Sequence, residues 1–345
     1  MSKIVLISCV SQKQEKSAQA KDLYISPLFK YNFKYANMLK PDNIFILSAK
    51  YGLLTLEQEI DPYDETLNNF SALEKKLWSD KVLEQLKEVS DLKNDEFIFL
   101  AGENYRKHLL PHLNNYEIPM KGLGIGKQLG YLKEKVEISE KCGKLHEIFN
   151  SMEKIQFPFS DEKIPKNGIY VLFENGEESH NTNRIVRIGT HTGDDQLRSR
   201  LKQHFMNENK DRSIFRKNIG RSLLNKESDP FLEYWELDLT TRKAKEKYHD
   251  LIDFNKQYEI EKRVTQYLQN NLSFVVFEVN EKEKRLELES KIISTISLCE
   301  DCRPSDDWLG NYSPKSKIRE SGLWLVNELY KEPLSDENLG DLMIL

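Results

Sequence analysis

Residues 167–205 constrain this chain most, reading NGIYVLF, a polar loop, then RIVRIGTHTGDDQLRSRLKQHF. Two apolar, β-branched runs, 168–173 and 184–188, predict a pair of strands, and the residues after Asp194 carry apolar positions at helical spacing. On that helix Leu197 and Leu201 face a core, while Arg200 and His204, four apart, share another face. Tyr170 leaves the first strand and Gly189 closes the second, so a phenol, a guanidinium and an imidazole converge on one small polar site. That set suits phosphodiester cleavage, which needs a fixed cationic fork, a proton-transfer group and usually a divalent metal held by a carboxylate.

Gly168-Ile169-Tyr170, then Arg187-Ile188-Gly189, then Arg200 and His204, in that order, resemble the GIY-YIG nuclease family. The resemblance covers residues 164–329 and implies a third strand, here 273–279, followed by a helix carrying a metal-binding Glu. Glu289 takes that place; Glu287, two positions away, lies on a different helix face. Catalytic roles for Tyr170, Arg200, His204 and Glu289 follow from the resemblance, with Glu289 holding Mg²⁺ or Mn²⁺. The family's second motif usually begins with Tyr, and here that position is Arg187. The RIGTH sequence, with RSIFRKNIG, WLG and SGLW downstream, resembles a bacterial branch of the family, which adds His191 as a candidate general base. Asn311 in WLGNYSP is the candidate for an Asn that the family carries beyond the Glu helix.

A chain of 345 residues exceeds one hydrophobic core. The expected organisation is an α/β domain with a largely parallel sheet over 1–136 and a connection over 137–162. An α+β nuclease-type domain, a small antiparallel sheet flanked by helices, follows over 163–330 with an insertion near 207–272, and then a tail over 331–345. No run is apolar enough to cross a bilayer and the N-terminus lacks a signal-peptide layout, so a cytoplasmic location without a membrane partner is expected. Oligomerisation is left open, with nothing pointing to it. Cys299 and Cys302 form a CxxC, but no second CxxC or His pair in the sequence completes a zinc site, so Cys9, Cys142, Cys299 and Cys302 read as reduced structural cysteines.

The net charge of −5 does not mark a nucleic-acid binder, but its distribution matters. Residues 163–225 hold twelve Lys and Arg against seven Asp and Glu, whereas 1–136 holds nineteen against eighteen. The local surplus makes Arg187, Arg212, Arg216, Lys217 and Arg221, together with Asn311, the candidate nucleic-acid contacts, against the alternative of a solvated face.

In the first half, short continuous apolar runs at 3–9, 43–49 and 96–102 alternate with helical periodicity at 27–39 and 71–89, as in a sheet covered on both faces. Polar residues gather just after the strands, where open α/β sheets bind ligands. The motifs at 7–13, 22–29, 48–54 and 62–67 resemble an uncharacterised SAKYGLL-motif α/β family related to glycosylase-like folds, which implies recognition of a nucleobase. Ser11, Lys13, Tyr24, Ser48, Lys50, Tyr51, Tyr63 and Arg106 are the candidate pocket, the tyrosines as stacking platforms. The combined expectation is a metal-dependent endonuclease, with DNA the favoured partner, whose first domain reads a substrate or modified base in defence against foreign DNA. The alternatives are a non-catalytic nucleic-acid binder on a nuclease fold, or a base-removing glycosylase coupled to strand nicking.

Overall fold

The computed structural model describes residues 1–344 and comprises two compact units, Met1–Glu137 and the chain from Ile138 on. In the first unit Lys3–Ser8 (β1), Asn43–Ser48 (β2), Gly52–Leu54 (β3), Glu96–Leu100 (β4) and Asn115–Glu117 (β5) form one sheet in the order β3-β2-β1-β4-β5. β1 runs parallel to β2 and β4, β5 parallel to β4, and β3 antiparallel to β2. Ile4, Val5, Leu6 and Ile7 are fully buried, which is why β1 reads as a continuous apolar run. Helices Pro27–Met38 (α1) and Ala72–Val89 (α2) supply Phe29, Tyr35, Val82 and Leu86 to the same core. A capping box between Ser71 and Glu74 starts α2. The chain goes from β1 to β2 on one side and later returns to β4 on the other. The crevice beyond the ends of β1 and β4 is therefore the topological switch point of the sheet.

The second unit holds a four-stranded antiparallel sheet, Ile155–Gln156 (β6), Gly168–Ser179 (β7), Thr182–Gly189 (β8) and Leu272–Glu278 (β9), in the order β8-β7-β9-β6. Strand alternation divides its side chains between two cores. Tyr170 and Leu172 join Leu197, Leu201 and Phe205 of helix Leu197–Phe205 on one face. Ile169, Val171 and Phe173 join Ile292 and Ile296 of helix Lys282–Leu298 on the other.

Several expected boundaries differ. Residues 137–162, expected as a connection, include most of helix Ile125–Ser151, within which the two units divide. Ile138, Cys142, Leu145 and Phe149, three or four apart, are buried in the second unit's core, a stripe that the charged residues between them hide in the sequence. The tail likewise contains helix Asp336–Leu342, with Leu339 and Leu342 in that core. Within the insertion, residues 230–239 hold a helical turn, Leu232–Trp235, where Trp235 is drawn inward to donate its indole N–H to the Lys217 carbonyl (3.0 Å). Two helices follow in the insertion, Arg242–Tyr248 and Phe254–Asn271. The second starts at Asp253, whose carboxylate caps Asn255 and Lys256 N–H groups. No described helix is long and apolar enough to cross a membrane.

Candidate active site

The site is built on an irregularity in β8. Its register against β7 shifts between Asn183 and Ile185 and again between Ile185 and Arg187. Ile185 and Ile188 lie in one core and Val186 in the other, so strict alternation from Ile185 would turn Arg187 away from Tyr170. The shift instead aims Arg187 at the Tyr170 face, the usual effect of a bulge beside a site. Gly189 stands opposite Tyr170 in the ladder, and a Cβ there would overlap the phenol ring and hydroxyl. Gly168 is held to glycine by the approach of the Phe277 carbonyl from β9. Both motif glycines thus serve close packing of the sheet around one tyrosine.

Tyr170, 1% exposed, places its hydroxyl 2.8 Å from His204 Nε2, and Arg187 Nε donates to the same oxygen at 3.4 Å. Arg187 is fixed by donation to the Trp324 carbonyl (2.5 Å) and by lying 4.6 Å over the Phe215 ring. His204 Nδ1 meets Ser213 Oγ at 2.7 Å, and that hydroxyl accepts the Arg216 backbone N–H as the cap of helix Ile214–Lys226. Burial, and then Arg187, Arg200 and Arg216, hold His204 well below the ordinary imidazole range, so it is neutral. A neutral imidazole has one donor and one acceptor nitrogen, so Ser213, His204 and Tyr170 form a hydrogen-bonded row in which protons can be ordered either way.

Arg200, Glu289 and His191 complete the site. Arg200 is half-buried and donates to Gln203 Oε1 (3.2 Å) and the Arg212 carbonyl (3.3 Å). Glu289 is half-buried; burial raises its carboxyl above the usual range, opposed by Arg187, the Thr190 backbone N–H and Arg200. Thr190, His191 and Arg200 line an open cavity of about 290 Å³, which Tyr170 and His204 do not line. His191 is less free than expected of a general base. Its Nδ1 donates to the Gly193 carbonyl (2.6 Å) and its Nε2 accepts from Gly168 N–H (3.4 Å). Burial lowers its pKa, with Arg285 adding to the effect.

The expected nucleic-acid patch is mostly interior. Arg216 is fully buried, pairing with Glu261 (2.7 Å) and donating to the His204 carbonyl (3.0 Å). Arg221 pairs with Glu236 (2.5 Å), and Lys217 reaches Asp211 (3.6 Å) and the Glu236 carbonyl (2.8 Å). These cations join the insertion's helices; Arg212 alone of the run remains exposed. Arg187 is also interior, and Asn311 spends its amide on the Ser305 and Asp306 carbonyls of its own turn. Ser213 and the Thr190 N–H were missed; the serine just before the apolar periodicity of 214–226 was the available signal.

In the first unit a cavity of about 760 Å³ opens at the switch point, lined by Ser11 and Lys13 after β1, and by Gly102, Glu103 and Tyr105 after β4. Cys9 also lines it, its thiol 3.2 Å from the Tyr105 hydroxyl. The other expected pocket residues do not line it. Tyr24 and Tyr63 are buried with their hydroxyls 2.7 Å apart, and Ser48 donates to Tyr63 (2.7 Å), so neither ring face is free for stacking. Burial pushes both phenols up. Lys50 lies 5.3 Å over Tyr51, itself edge-on to Tyr63, and Arg106 donates to the Ala101 carbonyl (2.6 Å). Lys13 sits 4.2 Å over the Tyr63 ring.

A small antiparallel sheet presenting Tyr170 and Arg187, followed by helices bearing Arg200, His204 and Glu289, is a nuclease-type arrangement. Residues 136–343, more than half of the chain, match the family model described as GIY-YIG domain, and the protein belongs to the GIY-YIG family. Membership makes it a nuclease-type hydrolase with a nucleic-acid substrate, in a family that generally uses divalent metal ions. Residues 4–134 match a family of unknown function, DUF6884. No curated protein and no solved structure matches the chain.

Proposed function

We propose that the second unit is an endonuclease, with DNA the favoured substrate, and that the cavity of the first unit selects what is cut, as in restriction of foreign or modified DNA. The observation that carries this reading is the convergence of Tyr170, His204, Arg187, Arg200 and Glu289 about one end of the β7-β8 pair. Glu289 fits a divalent ion of the Mg²⁺ or Mn²⁺ kind. No other Asp, Glu, His or Cys among the described residues joins it in a metal-holding group, and a hard cation of this type is satisfied by one carboxylate, waters and the substrate phosphate. Bound there, the ion would polarise a phosphoryl oxygen and offset its charge.

The chain's own residues have distinct tasks. Arg200, at the cavity, holds the scissile phosphate by its fork. Tyr170 passes its own hydroxyl proton to His204 Nε2 as it takes the proton of the attacking water, with Ser213 fixing the imidazole through Nδ1. Arg187 replaces the family's second phenol with a permanent cation at the Tyr170 oxygen, so one tyrosine carries the proton transfer. His191 holds the turn after β8.

The test is cleavage of plasmid and phage DNA, with and without modified bases, in Mg²⁺, Mn²⁺ or EDTA. Cleavage that needs the ion, is lost in Glu289→Ala and depends on base modification supports the whole reading. Full cleavage in EDTA refutes the metal, and equal cleavage of all substrates refutes selection.

A further inference from the structure

We propose that Cys142, His180, Cys299 and Cys302 form a structural Zn²⁺ site in the second unit, separate from the catalytic metal. The ligands come from three places that the sequence keeps far apart. Cys142 lies on helix Ile125–Ser151, His180 in the tight turn between β7 and β8, and Cys299 and Cys302 just after helix Lys282–Leu298. All three thiols are buried, and none is in a disulfide. The turn takes His180 and Asn181 into the left-handed region, φ 50° and 59°, which carries the imidazole back over the end of the hairpin.

One edge has the length a metal polyhedron requires. Tetrahedral Zn²⁺ with Zn–S of about 2.3 Å and Zn–N of about 2.0–2.1 Å requires sulfur-to-nitrogen edges of about 3.6 Å. Cys299 Sγ lies 3.5 Å from His180 Nε2. Cys142 belongs to two such groupings, one with His180 and Cys299 and one with His146 and Cys302, the ligand atoms of each within 4.8 Å of one another. Cys142 is the thiol common to both groupings, and the proposal draws Cys302 Sγ into the shell formed with His180 and Cys299.

Two histidines compete for the fourth position, and their hydrogen bonds decide between them. His146 Nε2 is 3.6 Å from Cys302 Sγ, but its Nδ1 donates to the Cys142 carbonyl (2.9 Å) and its Nε2 accepts the Ile185 N–H (3.2 Å). Both nitrogens are therefore committed to backbone. His180 Nε2 has no hydrogen-bonding contact among the described residues except Cys299 Sγ, which leaves its lone pair for a metal. His146 is a positioning residue that holds the Cys142 carbonyl and packs 5.1 Å, centroid to centroid, from the His180 ring.

Three thiolates and an imidazole select Zn²⁺ and exclude the hard cations suited to Glu289. Four protein ligands close the shell, so the role is structural. The metal would pin the hairpin carrying Tyr170 and Arg187 to the end of the helix that carries Glu289.

The test is elemental analysis and thiol titration of the full-length protein purified without added metal. One zinc per chain is expected, with thiolate-to-metal charge-transfer bands when Co²⁺ replaces it. Folded protein that lacks zinc and shows titratable Cys142, Cys299 and Cys302, or a disulfide among them, overturns the proposal. His180→Ala and Cys299→Ser should lose zinc to a chelator that leaves the unaltered protein loaded, while His146→Gln and Glu289→Ala should keep it. If Cys299→Ser does not fold, His180→Ala decides, because His180 is only half-buried and lies in a turn. Undiminished zinc in that variant overturns the ligand assignment. Zinc retention in inactive Glu289→Ala keeps this result separate from the nuclease reading.

Discussion

The two units differ in where their charge lies. The cavity of the first unit is the larger, about 760 Å³, and a single lysine, Lys13, reaches it from the loop after β1. The cavity of the second is about 290 Å³, with Arg200 at its wall and Arg187, His204 and Arg216 packed behind. An open cleft walled by Lys13 and by the carboxylates of Asp64, Glu65 and Glu103 suits the donor groups of a neutral base better than a phosphate. A small site backed by buried guanidiniums suits a phosphate whose charge changes during reaction. The difference teaches that the charge surplus of 163–225 is spent inside the protein as much as at its surface.

The sharpest way to break this contrast is at the catalytic site. Glu289→Ala should reduce cleavage to background, and Arg200→Ala should cost on the order of 10²–10³-fold in rate, as for a donor to developing charge. Plasmid nicking by variants whose circular dichroism is unchanged measures both. Normal cutting by Arg200→Ala would remove that arginine from the phosphate.

Next in size is the interior cation. Arg216→Ala strands Glu261 in the core and should destabilise the protein by about 3–5 kcal/mol in urea unfolding. Arg212→Ala should leave stability alone and lower the slope of log affinity on log salt by somewhat less than about one. The reverse pattern would restore Arg216 to the surface.

For the first unit, Ser11→Trp fills the cavity mouth. If a base is read there, with stacking worth roughly 1–3 kcal/mol, discrimination between substrates should fall by about ten- to a hundredfold while cutting of the poorer substrate persists. Unchanged discrimination would deny the cavity a reading role.

The smallest effect concerns pH. His204 has a depressed folded-state pKa, so its contribution to stability is fully present above the ordinary imidazole value of about 6.5 and is lost as pH falls below it. His191 acts with the same sign. Urea midpoints should therefore drop on acidification from neutral, and less so in His204→Gln. An equal drop in both proteins would mean that His204 is not the titrating group.

Most strands and helices of both units and the meeting of Tyr170 with His204 were legible because each depends on local periodicity and on the order of motifs. The glycines of both motifs were legible as signals, though their reason, room for the Phe277 carbonyl and for the Tyr170 ring, lies in neighbouring strands. Arg216, Lys217 and Arg221 look like a surface patch in sequence. They are buried because Glu261, Glu236 and Asp211, fifteen to forty-five residues away or just preceding them, fold back to pair with them. The sequence marks Tyr24 and Tyr63 as stacking faces, and only packing shows that their rings are enclosed. The aim of Arg187 depends on a register shift, and the meeting of Cys142 with His180 and Cys299, and with His146 and Cys302, on contacts across more than a hundred residues. By itself the sequence determined most of the strands and helices and the residue types they carry, since those follow from neighbours along the chain. Only the tertiary structure decided which charges are satisfied inside and which thiols meet, because burial and coordination depend on groups brought together by the fold.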